Sequence, residues 1–143
     1  MELIVDALAA RSKADAEELA AVLNGRFESG GGMDVEELAA LIAGLVEALA
    51  ARRDDMRARY ALILELHDDP RARAKLTADS EVHAVTRQMT AAALTRAGLP
   101  GSDAHVEELI ALADSLVFHR TAIDATASPR AILAAYLRGT AST

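Results

Sequence analysis

The chain has 143 residues, of which 52% are hydrophobic and 3% aromatic, and its net charge at pH 7 is −7. This length is typical of a single domain. The acidic balance argues against a nucleic-acid surface, because phosphate binding needs clustered lysine and arginine. The absence of cysteine excludes disulfides, thiol nucleophiles and thiolate metal sites. No segment has the length and apolar character of a membrane span or the pattern of a signal peptide, so we expect a cytoplasmic protein without membrane contact.

The first predicted helix covers residues 2 to about 27. Its apolar residues recur at helical spacing. The residues predicted to point inward are Ile4, Leu8, Leu19, Val22 and Phe27. Three glycines at positions 30 to 32 should end this helix, because glycine loses the most backbone entropy and has no side chain to pack.

The second predicted helix runs from Asp34 to about Arg53 and has the clearest amphipathic pattern of the chain. Asp34 followed by Glu37 resembles a capping box, in which the first side chain accepts a hydrogen bond from a free backbone N–H group. The sequence therefore predicts that this helix begins at Asp34.

The third predicted helix covers residues 54–67 and carries Tyr60 on its apolar face. Asp69 can act as an N-cap, and Pro70 fits the first turn of a helix because its missing N–H would have no partner there. A single long helix is predicted to follow over residues 70–97, with a glycine C-cap directly after it.

Two further helices are predicted at residues 102–121 and 128–138. Ser102 can cap the first, and Gly139 is expected to end the second. Since no segment alternates like a strand, the sequence predicts an all-α fold, a single-domain bundle of about six helices.

The stretch from Arg57 to Leu76 combines three features: an apolar helix with a tyrosine, an acidic-acidic-proline turn, and an Arg- and Ala-rich helix. Further along, AGLP at positions 97–100 precedes the amphipathic segment EELIALADSL at positions 107–116. This order resembles the C-terminal domain of TetR-family transcriptional regulators over nearly all of residues 1–143. The resemblance implies one ligand-sensing and homodimerisation domain, whose effector modulates DNA binding.

In TetR-like domains the effector cavity lies between the helices that correspond to residues 34–53, 54–67 and 70–97. The apolar character of these segments implies a small hydrophobic or aromatic effector. The residues expected to bind it are Leu41, Leu45, Met56, Tyr60, Leu64, His67, His83, Arg87, Met89 and Phe118. The alternative for the two histidines is a hydrogen-bonded core or surface position, and Tyr60 could fill the core.

The two C-terminal helices bear more apolar surface than a bundle of this length needs. An isologous interface, in which the same apolar stripe of two subunits packs together around a two-fold axis, would make the protein a homodimer. The residues assigned to this interface are Leu109, Ala113, Leu116, Val117, Arg120, Ile132, Leu133 and Tyr136. The alternative is that the same residues close the core of the monomer.

Asp114 lies among apolar residues in the middle of a predicted helix, where an unpaired buried carboxylate would cost several kcal/mol. Its partner could be Arg87, Arg120 or a bound ligand, or the side chain could face water. Glu107 and Glu108 lie near the start of the same helix, and we interpret them as solvated charges that complement its dipole.

The sequence offers no pattern of a catalytic or metal site. None of the four histidines stands three or four residues from another, so a helical pair of metal ligands is missing. The serines lack a Gly-x-Ser-x-Gly setting, and the glycine run lacks the Lys-Ser/Thr of a P-loop. We therefore expect no enzymatic activity, no metal and no cofactor.

A full-length TetR-type regulator carries a helix-turn-helix domain ahead of its effector domain, and no segment of that kind precedes Glu2. The sequence therefore predicts that DNA is contacted only through a domain missing from this chain. The alternative function is a stand-alone helical protein-interaction module without a small-molecule ligand.

Overall fold

The computed structural model describes residues 2–28, 32–77 and 80–141. In these ranges the chain forms seven α-helices and no strand. The helices are α1 (Glu2–Glu28), α2 (Val35–Ala51), α3 (Arg53–Glu65), α4 (Pro70–Ala74), α5 (Glu81–Arg96), α6 (Asp103–Phe118) and α7 (Arg130–Ala141). A 3₁₀ turn (Leu66–Asp68) follows α3, and a π-helical turn (His119–Ile123) continues α6. The predicted all-α fold class is confirmed.

Side-chain caps start several helices where the sequence predicts them. The Asp34 carboxylate accepts a hydrogen bond from the Glu37 N–H at 2.7 Å, and Asp69 caps α4 in the same way. Ser102 caps α6. At the end of α5, Gly98 has a φ of +69°, a conformation in which glycine avoids the Cβ clash of other residues. Local chemistry therefore determines these boundaries.

The prediction of one helix over residues 70–97 is wrong, because α4 ends at Ala74 and α5 begins at Glu81. Hydroxyl groups on both sides of the break compete with the helical backbone. Thr77 donates a hydrogen bond to the Arg73 carbonyl at 3.0 Å, and the Ser80 hydroxyl accepts one from the His83 N–H at 3.1 Å. The segment therefore contains two helices joined by a short linker.

The inward face predicted for α1 is partly wrong. Ile4 and Val22 are exposed, because the buried stripe of this helix runs instead through Val5, Leu8, Ala16 and Leu23. The prediction for the Phe27 side chain and the glycines at positions 30 and 31 lies outside the described residues.

The C-terminal helix is longer than predicted. Instead of ending at Gly139, α7 continues to Ala141, and the buried Thr140 hydroxyl donates to the Leu137 carbonyl at 2.8 Å. Burial of this turn against the bundle keeps it helical.

The main apolar core lies between α2, α5, α6 and α7, with Leu23 of α1 also part of it, and α7 packs along α2. Its most deeply buried large residues are Leu38, Leu94, Leu133 and Leu137. A second, smaller cluster joins α1 to α3 and to the linker before α5, and it contains Val5, Leu8, Leu62, Leu66 and Leu76. Each fully buried leucine contributes roughly 1.5–3 kcal/mol of hydrophobic stabilisation. The bundle therefore has two separate apolar centres.

Among the described helices, none combines the length and the apolar character that crossing a membrane requires.

Candidate functional site

Two aromatic rings meet between α3 and the end of α6. Tyr60 and Phe118 have ring centroids 5.1 Å apart and an interplanar angle of 74°. This edge-to-face arrangement is one that aromatic quadrupoles favour. Phe118 remains 44% exposed in spite of the contact. The pair therefore leaves aromatic surface open to a further molecule.

Asp114 precedes Phe118 by one helical turn on the same face of α6. The residue as a whole is exposed, yet the protein around its carboxyl removes enough water to raise its pKa. The charges of Arg59 and His83 lower this pKa and offset the burial only in part. In the described part of the chain the carboxylate has no hydrogen-bond or ion-pair partner. We call Tyr60, Phe118 and Asp114 the aromatic–carboxylate cluster.

The electrostatics of Tyr60 reflect the same neighbourhood. Burial raises the pKa of its hydroxyl, and the negative charge of Asp114 raises it further. The tyrosine therefore stays neutral at physiological pH, and its hydroxyl can donate a hydrogen bond to a ligand.

Arg59, next to Tyr60 in α3, ties three segments together. One guanidinium nitrogen donates to the Ser12 hydroxyl of α1 at 2.9 Å, and the other donates to the Leu76 carbonyl of the linker at 2.8 Å. Both hydrogen bonds come from a cation, which makes them stronger than neutral ones. Sequence analysis missed this residue, because its partners are distant in the chain.

Further polar contacts join α1 to the N-terminal part of α3. Arg11 forms an ion pair with Asp55 at 3.0 Å, and Arg52 pairs with Asp15. These side chains also line a small recess of about 10 Å³ between the two helices. We call the contacts of Arg11, Arg52 and Arg59 with their partners the polar seam. The polar seam therefore adds to the apolar packing of Val5 and Leu8 between α1 and α3.

Two residues of α5 converge on one carboxylate of α6. His83 Nε2 lies 3.1 Å from a carboxylate oxygen of Glu107, and Arg87 lies 3.6 Å from its other oxygen. Glu107 is therefore an ion-pair partner of α5 as well as a partly solvated charge near the start of α6. Glu108 also has a partner, because the Tyr136 hydroxyl of α7 donates to it at 2.9 Å.

Asp114 does not use either of the protein partners suggested by the sequence. Arg87 pairs with Glu107 instead. Arg120 donates to the Ala127 carbonyl and lies 3.9 Å from Glu47. Both suggestions are wrong, since each arginine is occupied elsewhere.

The structure brings together only part of the predicted effector site. Tyr60 and Phe118 are in contact. His83 and Arg87 lie on α5, and both contact Glu107 of α6. Leu64 is exposed. Four others lie elsewhere: His67 is exposed and pairs with Asp68, Met56 lines the small recess, and Leu41 and Met89 pack against the main core. Leu45 is half-buried on α2.

The predicted dimer residues differ in their exposure. Leu109, Val117 and Leu133 are buried within their own chain. They therefore cannot contact a second subunit directly and can only pack under the residues that do. The side chain of Ile132 is 50% exposed. Four others are half-buried: Ala113, Leu116, Arg120 and Tyr136. Burial and the hydrogen bond to Glu108 raise the pKa of Tyr136 to about 12.

A second cavity, with a volume of about 410 Å³, is much larger than the recess between α1 and α3. No residue of the aromatic–carboxylate cluster lines it. Its walls come from α1, the end of α4 and the start of α5, and they contain Ala9, Ala10, Lys13, Ala74, Lys75, Ser80, Glu81 and Val82. Both lysines already have partners, since Lys13 lies 2.8 Å from Glu81 and Lys75 lies 2.6 Å from Asp6. None of the predicted effector residues lines this cavity.

The π-helical turn after α6 contains a polar atom that sequence reasoning did not find. Thr121 is only 4% exposed, and its hydroxyl has no partner among the described residues. In regular helices of this chain, hydroxyls bond to the carbonyl four residues earlier, as Thr86 and Thr90 do. π-helical turns are rare and frequently occur at functional sites.

Over the described residues, no group of three or more histidines and carboxylates is placed to hold a metal ion.

The described residues form an all-α bundle. A comparison with protein-family models matches residues 33–143 to the tetracyclin repressor-like C-terminal domain. The chain therefore belongs to this family, and the predicted resemblance to TetR-type transcriptional regulators is confirmed. All of α1 lies outside the matched residues. Searches of curated proteins and of solved structures found no match.

Proposed function

We propose that this chain is the effector-binding and homodimerisation domain of a TetR-like transcriptional regulator, acting in the cytoplasm without enzymatic activity. A small hydrophobic or aromatic effector would bind at the aromatic–carboxylate cluster. The observation that carries this proposal is the half-exposed Phe118 ring, packed against Tyr60 beside an unpaired carboxylate. Apolar surface with a few convergent polar groups is the usual composition of a small-molecule site.

The polar seam supplies a route from the effector to α1. Tyr60 follows Arg59 directly in α3, and Arg59 holds both Ser12 and the Leu76 carbonyl. An effector that displaces Tyr60 would shift the guanidinium and change the position of α1. This coupling requires that the effector bind the two arrangements with different affinities. DNA would be contacted by a separate helix-turn-helix domain rather than by this acidic chain.

A thermal-shift screen tests effector binding, because a ligand that binds only the folded state raises the melting temperature by mass action. We expect hits among hydrophobic and aromatic compounds, and we expect Phe118→Ala to abolish their shifts. Leu3→Ala, which removes an exposed leucine from the far end of α1, should leave them unchanged. A hit that shifts the Phe118→Ala variant as much as the wild type would place the site elsewhere.

The dimer would form through the outer faces of α6 and α7, where Ile132 is exposed and Leu116 half-buried. Light scattering after size exclusion should show a dimer that Ile132→Arg dissociates. Val22→Arg is the matched control, because Val22 is an exposed apolar residue on a different helix. A monomeric wild type at high micromolar concentration would contradict dimerisation. A monomer that also binds no compound would favour the protein-interaction module.

A further inference from the structure

We propose that the effector carries a cationic nitrogen attached to an apolar body, with Asp114 as its counter-ion and the rings of Tyr60 and Phe118 as its binding surface. This inference rests on the proposed function and adds the chemical class of the ligand.

The first argument is that the Asp114 carboxylate lacks a hydrogen-bond or ion-pair partner, although Arg59 and His83 act on its charge. Arg87 is paired with Glu107, and Arg120 is held by the Ala127 carbonyl. Arg59 directs both terminal nitrogens to Ser12 and Leu76. Each of these cations is therefore fixed in another contact, and the carboxylate is left available to a ligand.

The second argument concerns the charges that face this carboxylate. Arg59 and His83 are the positive or titratable groups that act on it, and Tyr60 is neutral. Burial still outweighs both, because the pKa of Asp114 stays above its ordinary value. The negative charge is thus incompletely compensated, and an added positive charge would stabilise it. A bound anion would instead be repelled.

The third argument is the geometry of the rings. In an edge-to-face pair, each ring keeps at least one face that the other ring does not cover. The face of an aromatic ring attracts a cation within about 6 Å of its centroid. Asp114 lies one turn from Phe118 on the same side of α6. A cation can therefore contact a ring face and the carboxylate together.

The test uses two probes of the same shape, benzyltrimethylammonium and its neutral isostere neopentylbenzene, titrated by NMR at equal concentrations. We expect the cation to bind the wild type roughly five- to tenfold more tightly, the ratio expected for a partly exposed cation–π contact combined with an exposed ion pair. Asp114→Asn should reduce this preference to the part that the cation–π contact contributes, without changing the affinity for neopentylbenzene. Asp114→Glu, which keeps the charge, should retain most of it.

Phe118→Leu supplies an independent variant, because it keeps the carboxylate and removes one ring face. It should weaken binding of the cation more than binding of the neutral probe. Equal affinities of the two probes for the wild type would overturn the cation preference and leave the effector site intact. If neither probe nor any compound of the thermal-shift screen binds, both the proposed function and this inference are wrong.

Discussion

Arg59 of α3 and Ser12 of α1 are joined by a hydrogen bond of 2.9 Å, although 47 residues separate them in the chain. The same guanidinium reaches the Leu76 carbonyl at 2.8 Å. One side chain next to Tyr60 therefore holds the N-terminal helix and the linker before α5 in fixed positions.

Removing this guanidinium should destabilise the domain. Arg59→Met loses both hydrogen bonds and leaves the Leu76 carbonyl without its partner, so we expect the free energy of unfolding to fall by about 2–3 kcal/mol. Urea denaturation measures the change. Ser12→Ala is the control, because it keeps the bond to Leu76 and should cost only about 1 kcal/mol. Equal losses in the two variants would show that the Leu76 bond contributes nothing.

The contact between Tyr60 and Phe118 should appear as a coupling energy. Edge-to-face pairs contribute about 0.5–1.5 kcal/mol beyond burial, and the exposure of Phe118 favours the lower half of this range. A double-mutant cycle with Tyr60→Leu and Phe118→Leu isolates the coupling. The remote pair Tyr60→Leu and Ile132→Ala should be additive. Additivity for the aromatic pair as well would mean that the rings do not stabilise each other.

Short-range chemistry made much of this fold predictable. The caps at Asp34, Asp69 and Ser102 each involve a backbone N–H three residues away, so the sequence contains both partners of every bond. The glycine at position 98 likewise determines the end of α5 within a few residues. These boundaries were therefore predicted from the sequence, whereas the equally local cap of Ser80 at the start of α5 was missed.

Contacts between distant residues explain what the sequence did not predict. Burial of Leu76 against α1 and α3 favours the break between α4 and α5, in addition to the hydroxyl contacts of Thr77 and Ser80. Arg59 finds its partners 17 and 47 residues away. Of the predicted effector residues, Tyr60 and Phe118 meet for the same reason, and no periodicity in the sequence could pair them.

The unpartnered hydroxyl of Thr121 should make its replacement stabilising. Thr121→Val keeps the shape of the side chain and removes a buried polar group, which should raise the free energy of unfolding by about 1–2 kcal/mol. Thermal unfolding should show an increase of roughly 2–4 °C per kcal/mol. Thr90→Val is the matched control and should destabilise, because the Thr90 hydroxyl donates to the Thr86 carbonyl at 2.7 Å. Destabilisation by Thr121→Val would indicate that the hydroxyl has a partner in solution.

The carboxyl of Asp114 should make stability depend on pH. Burial raises its pKa in the folded chain, so between the unfolded and folded values the folded state binds more protons, and stability falls as pH rises. Asp114→Asn should therefore raise the melting temperature at pH 7. Because the residue is partly exposed, screening should keep the gain below about 1 kcal/mol, or roughly 4 °C. The gain should shrink as the pH approaches the ordinary value of 3.8, where the wild type becomes protonated. A difference that stays constant from pH 4 to pH 7 would show that ionisation of this group is not its cause.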